Sequence, residues 1–312
     1  MRISTNMMSR QFLTNLNKVY GNMLKYHRQT TTGRAFHRAS EDPINAVKSM
    51  DLSSGLDRIN LYQSNIDQAQ LILREQEVGI SSISDALLSV QTVVQQSLNT
   101  TFDDEDRKNM AQVVEATREN VIALLNKDFG GKFIYGGHNT SSNPMTVEHQ
   151  VASYNGIPID EMTIEEFENF SQEEMFYNTG RGTKVDVATS ALDILGYGDE
   201  NMLKLLDDIS QLLREPSETF NEDMNVYLGK TNDHFRNLQA VRTTVGSRIA
   251  NMDAMKAQLT EHSHNMQDLL SVARDVDIEE AIINFKTAEM VYQAALSAGA
   301  SIIQPTLVDF LR

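Results

Sequence analysis

No cysteine occurs in the 312 residues, which excludes disulfides and thiolate metal sites outright. Tryptophan is also absent and proline appears only five times, a scarcity that favours long uninterrupted helices. No apolar run approaches the ~18 residues of a membrane-spanning helix. The first residues lack the charged region, apolar stretch and small-residue cleavage site of a secretory signal, so no conventional leader is expected. Bases are scarce where they would be needed for nucleic acid. Residues 141–200 hold twelve acids and two bases within a chain of net charge −16.

What is present is concentrated at the two ends. Residues 1–40 carry seven Lys or Arg and no acid, whereas residues 275–312 carry six acids and two bases. At 100° per residue Met8, Phe12, Leu16, Val19, Met23 and Tyr26 fall within about 80° of one another, with Arg10, Lys18, Lys25 and Arg28 roughly opposite. Such a helix suits a core-facing surface position, an anionic membrane surface, an organelle transit peptide or a partner helix. In the tail, Asp277 supplies a cap. Ile278, Ala281, Ile282, Phe285, Ala288, Tyr292, Ala295, Gly299 and Ile302 follow at three-to-four spacing. Val291 and Ala298 widen this face to about 200°, more than one helix can cover, so several partner helices are expected, some from other subunits. Pro305 ends the helix, and Leu307, Val308, Phe310 and Leu311 leave an apolar end. A basic head and an acidic tail are natural packing partners. Before assembly both are expected to be loose, because each lacks most of its apolar cover.

Two seven-residue series lie between the ends. Leu52, Ile59, Ile66, Leu73, Ile80, Leu87 and Val94 form the first, with Gly55, Tyr62, Ala69, Gln76, Ile83, Val90 and Ser97 three residues on. Met224, Thr231, Leu238, Val245, Met252, Leu259, Met266 and Ala273 form the second. Each predicts a coiled-coil-like helix, the first over 43–98 behind the cap Asp42-Pro43. Another helix starts at Asp103 with the stripe Met110, Val113, Thr117, Val121 and Leu124, and stops at Gly130-Gly131. A short one covers 201–214. Hairpin signals at Asn155-Gly156 and Gly180-Arg181-Gly182 mark a β-rich insert over 132–200. The expected fold is mainly α: a long antiparallel helical rod with a small β-rich insert and both termini at one end. Its expected domains are a terminal one (1–42 plus 275–312), a helical one (43–131 plus 201–274) and the insert.

Catalytic signals are decoys. Gly229-Lys230-Thr231 mimics the end of a phosphate loop but lacks its leading glycine and strand. His262 and His264 sit about 200° apart on a helix and cannot share a metal. Asp103–Asp106 lack the spacing of a calcium loop. Neither enzymatic activity nor a cofactor or metal is expected.

The chain resembles the axial proteins of the bacterial flagellum, in the flagellin family. The likeness rests on Met1-Arg2-Ile3-Ser4-Thr5, on Thr32-Gly33-Arg34 leading into Ser40-Glu41-Asp42-Pro43, on Lys132-Phe133-Ile134-Tyr135-Gly136-Gly137, and most of all on the tail from Asp275 to Leu311. Asp42-Pro43 at the corner favours a protein of the junction between hook and filament over flagellin itself, the alternative. The resemblance implies export through the flagellar type III channel, an extracellular site in the flagellum, and assembly through the terminal helices. The implied partners are the first junction protein (FlgK), flagellin, further copies of the chain in a ring, and a cytoplasmic export chaperone. The interface residues expected are Phe12, Leu16, Val19, Met23, Ile278, Ile282, Phe285, Tyr292, Ala295, Ile302, Leu307 and Phe310.

Overall fold

The two heptad series become the two longest helices. A computed structural model describes residues 5–98, 103–137, 139–148, 151–171 and 174–303. The first series forms α2 (Pro43–Ser97) and the second α7 (Phe220–Arg274). The others are α1 (Thr5–Thr32), α3 (Asp104–Leu125), α4 (Ile164–Ser171), α5 (Ala191–Leu195), α6 (Met202–Arg214) and α8 (Ile278–Ile303). The described chain falls into two compact units, one from 1–58 with 260–312, the other from 59–259.

Within 59–259 the seams behave as their spacing predicts. Ile59, Ile66, Leu73, Ile80, Leu87 and Val94 are buried, as are Ala69, Ile83 and Val90 beside them and Met224, Leu238, Val245 and Met252 on α7. Each fully buried Leu or Ile is worth about 1.5–3 kcal/mol relative to exposure. The helices run antiparallel: Gln91 donates to Asn232 at 2.8 Å, Gln70 donates to Asp253 at 2.7 Å, and Lys256 pairs with Asp67 at 2.5 Å. The polar seam residue Gln76 is buried yet satisfied. Its amide donates to the carbonyls of Ile134 and Val187, and it accepts from Thr189.

That residue anchors the Lys132–Gly137 motif. The Tyr135 hydroxyl donates to the Gln76 carbonyl at 2.8 Å and sits against Gly79, where any Cβ would overlap it. Burial pushes the Tyr135 phenol well above its ordinary pKa.

Three small antiparallel sheets follow α3. β1 (Asp128–Phe129) pairs with β2 (Lys132–Phe133). β3 (Met145–Glu148), β4 (Val151–Tyr154) and β5 (Ile157–Pro158) form the second sheet, and β6 (Phe176–Gly180) pairs with β7 (Thr183–Asp186). The hairpins at Asn155-Gly156 and Arg181-Gly182 fall where their residues predict, with positive φ at Asn155, Gly156 and Gly182. Two expectations need correction. α3 ends at Leu125, capped by Asn126, and Gly130-Gly131 turn the first hairpin instead of stopping the helix. The buried face of α3 is Ala111, Val114, Val121 and Leu125, whereas Val113 is exposed. Val113-Val114 and Leu124-Leu125 are apolar doublets, so two stripes one residue apart satisfy the same periodicity.

Candidate functional site

The two ends of the chain meet in one antiparallel helical pair. The Phe12 ring covers Gly299, Tyr20 lies 5.6 Å from Tyr292 between ring centroids, and His27 lies 5.4 Å from Phe285. Numbers therefore fall along α8 as they rise along α1. The facing residues of α8 are Ala281, Phe285, Ala288, Tyr292, Ala295 and Gly299, spaced alternately by four and three. Phe12 seats over Gly299, while Tyr292 and Phe285 meet rings of α1. The half-buried residues of α1 are Phe12, Leu16, Val19, Met23 and Tyr26. The ends, expected to be loose, are helical and paired over the described residues.

Charge does not make this pairing. Arg10, Lys18, Lys25 and Arg28 are exposed, and among the described residues no ion pair joins α1 to α8. Lys286 pairs within its own helix, with Glu289 at 2.9 Å. The basic head and the acidic tail do pack together, as expected, but apolar and aromatic stripes carry the contact, and the basic stripe of α1 points to solvent.

The predicted interface residues divide into three groups. Phe12, Leu16, Val19, Met23, Phe285, Tyr292 and Ala295 line the seam inside the pair. Ile278 and Ile282 lie outside it and are exposed, and so is Met8 of the expected head stripe. Ile302 falls in the last turn of α8, while Leu307 and Phe310 lie outside the described residues. Sequence reasoning passed over Ile283 and Met290, 64 % and 63 % exposed, which together with Val291 and Leu296 leave apolar side chains of α8 open outside the seam. The signal that would have found them is their type, since the stripe spacing excludes them. Exposed apolar residues grouped beside a seam mark an interaction surface, and among the described residues α1 is the helix that packs on α8.

Two corners secure the pair. Asp42 caps α2, bonding the Asn45 main-chain N–H and amide, and Asp277 caps α8 through the N–H groups of Glu279 and Glu280. Between them the chain makes a short β bridge. Ala35 donates to the Arg274 carbonyl at 2.8 Å, and Val276 donates to Gly33 at 2.9 Å. Gly33 has a φ of 69°, which ends α1 in the left-handed region and turns the chain into the bridge. The main-chain N–H of His37 bonds the Glu41 carboxylate at 3.0 Å and holds its pKa below the usual range, with Arg28 and Lys25 adding to the effect.

Nothing comparable is built elsewhere for chemistry. A cleft of about 600 Å³ in the 59–259 unit is lined by Phe167, Tyr197, Lys230, His234, Asn237 and Arg248 among others. Burial pushes His234 below its ordinary pKa, so its imidazole is neutral. Arg248 is held by Asp186 and the Ala188 carbonyl, and the Thr189 and Thr244 hydroxyls donate to Gln76 and Ala240. Lys230 and Thr231 lie inside α7, where the Thr231 hydroxyl donates to the Tyr227 carbonyl. Among the described residues no cluster of three metal-ligating side chains occurs, and no helix is long and apolar enough to cross a membrane.

These features define a class: a mainly helical structural subunit whose apolar surface gathers on its paired ends. Two family models match in the places this implies. The bacterial flagellin N-terminal helical region covers residues 3–140, and the bacterial flagellin C-terminal helical region covers 228–311. The chain belongs to the bacterial flagellin family, a family of flagellar structural proteins. It is 24 % identical over 308 residues to flagellar hook-associated protein 3 of Escherichia coli strain K12, covering 96 % of each chain. It is 23 % identical to the protein of the same name in Salmonella typhimurium, covering 96 % of this chain and 94 % of that one. The fold recurs in a solved structure described as a flagellar hook-associated protein, from Vibrio parahaemolyticus. That match has a TM-score of 0.66 and 23 % identity, and covers 75 % of this chain and 99 % of the other. It recurs also in the flagellar junction protein FlgL of Legionella pneumophila, with a TM-score of 0.58 and 11 % identity, covering 74 % and 100 %.

Proposed function

We propose that this chain forms part of the junction between hook and filament, built into the flagellum through its terminal helices. The observation that carries the reading is the set of apolar residues that α8 leaves exposed beside its seam with α1, Ile282, Ile283, Met290, Val291 and Leu296. Its uncovered residues need helices that this chain does not supply, and neighbouring subunits are the source. The full-length likeness to hook-associated protein 3 supports a place at the junction. On this reading the terminal segments 1–42 and 275–312 make the inner wall. The helices over 43–131 and 201–274 and the β-bearing segment 132–200 lie outside it. The neighbours are the first junction protein (FlgK) on one side, flagellin on the other, and copies of the chain around the ring. The subunit reaches the site outside the cell by flagellar type III export, after a cytoplasmic chaperone has shielded it.

Ile282→Asp tests the interface. Ile282 is 47 % exposed in the subunit, so a carboxylate there leaves the free chain folded, whereas burial in a wall leaves that charge unpaired. The expected outcome is an unchanged melting curve with incorporation into flagella reduced at least tenfold. Normal motility and incorporation of the variant would remove α8 as an interface. Because both family models are flagellin regions, flagellin is the second reading. Seeding separates the two, since a junction protein does not elongate filament fragments indefinitely.

A further inference from the structure

Methionine exposure is partitioned between the two units. Eight described methionines lie in 59–259 and none is exposed; Met145, Met162, Met202, Met224 and Met252 are buried and Met110, Met175 and Met255 half-buried. Six lie in the terminal unit, and four of these are open to solvent: Met7 at 67 %, Met8 at 49 %, Met50 at 66 % and Met290 at 63 %. Met7 and Met8 sit on α1, Met290 on the uncovered side of α8, and Met50 on the outer face of α2 near the corner. With no cysteine in the chain, these four thioethers are the most accessible oxidisable sulfur atoms among the described residues.

We propose that the exposed methionines of the terminal unit are an oxidation-sensitive set, Met7, Met8 and Met290 on the wall-forming segments and Met50 outside them, and that peroxide oxidation of the free subunit blocks its incorporation. This rests on the assembly reading of the terminal helices. The sulfur lone pair attacks one peroxide oxygen. An S–O bond forms, the O–O bond breaks, and the departing oxygen takes a proton to leave as water. Sulfur loses two electrons and the peroxide gains them. The product is a sulfoxide, a polar group with a strong acceptor oxygen in place of an apolar thioether. A surface that must be desolvated to assemble then has acceptors to bury at Met7, Met8 and Met290. Once the subunit is in place the same burial shields the sulfurs, so the sensitive interval lies between release of the subunit and its incorporation. The buried methionines of the other unit are out of reach throughout, and the fold survives the oxidation.

The test uses the full chain, hydrogen peroxide and incorporation into flagella that lack this subunit. Peptide mass mapping is expected to find sulfoxide at the four exposed positions before any methionine of 59–259. Incorporation of the treated chain is expected to fall at least tenfold and to recover after treatment with methionine sulfoxide reductase. The variant Met7→Leu/Met8→Leu/Met50→Leu/Met290→Leu, which conserves volume, is expected to incorporate equally with and without peroxide. Should that variant assemble poorly untreated, recovery of the oxidised wild type by the reductase decides the matter. Undiminished incorporation of a chain carrying all four sulfoxides overturns the proposal, as does equal inactivation of the leucine variant or failure of the reductase to restore function. Failure of the untreated wild-type chain to incorporate would overturn the assembly reading itself, and this proposal with it.

Discussion

Gly299 shows how much one missing side chain decides at the ends of this protein. The Phe12 ring occupies the space a Cβ would fill, so the aromatic face of α1 reaches the α8 backbone directly. Gly299→Ala forces the ring out of its seat and costs the α1–α8 pair about 1–3 kcal/mol, the usual penalty for overpacking. The expected readout is faster proteolytic removal of both terminal helices with the 59–259 unit intact. Combining it with Phe12→Leu, which shortens the intruding side chain, is expected to recover part of the loss, the non-additivity that marks two residues in contact. Part of this was legible in the sequence. The small residues of the tail announce close helix approach, but spacing alone does not tell which are used. Ala295 and Gly299 lie in the seam, while Ala294 and Ala300 are exposed. Phe12 and Gly299 are too distant in sequence for any periodicity to join them. The same holds for the Tyr135 hydroxyl and its seat at Gly79.

Among the elements, those with heptad spacing, a clear apolar stripe or a turn signature were readable, whereas α4 and the buried face and end of α3 were not. α2 starts at the Asp42-Pro43 cap and ends just past its seam, and α7 begins and ends within a few residues of its own, because seven-residue periodicity over six or more repeats has few alternative explanations. The eight residues of α4 give too few turns for a stripe, and α3 offered two stripes at once. Helix pairing also rests on groups that no pattern connects. Glu115 of α3 accepts from Arg214 of α6 at 2.7 and 2.8 Å and from Ser210 at 2.7 Å. Those donors, Arg214 first, hold the Glu115 pKa below its ordinary 4.5. A carboxylate depressed in the folded state contributes stability that is full above the unfolded pKa and fades as pH falls through the folded value. Glu115→Gln is therefore expected to cost about 0.5–1 kcal/mol at pH 7, a modest figure because both partners are nearly half exposed. The difference should shrink in urea melts as pH falls through the depressed folded value, where the wild-type carboxylate also becomes protonated. A gap that persists in acid would mean that the bond geometry matters and the charge does not.

For the whole molecule, the two units differ in what holds them. The contiguous core, from Ile66 to Met252, lies wholly within 59–259. In the terminal unit the buried apolar residues are few, Ala46, Leu270, Ala273 and Ala281 among them. Local opening should follow that contrast. Amides of α1 and α8 are expected to exchange hydrogen at least about a hundredfold faster than those of Ile66–Val94 in the free subunit, a gap of roughly 2.7 kcal/mol. On assembly the gap should close. Equal protection in the free chain would mean that the terminal helices are complete without neighbours.

The pairing of Phe12 with Gly299 also sets an order of events. Nearly the whole chain separates the two residues, so the head must wait for almost the last residue to appear before its aromatic stripe has anywhere to go. Closing so long a loop is slow but costs little more than closing one half its length. A chain that emerges head first keeps the stripe uncovered throughout, whereas the core of 59–259 has all its residues in hand some forty residues earlier. The stripe of α1, made before the core of 59–259, therefore finds its place after it.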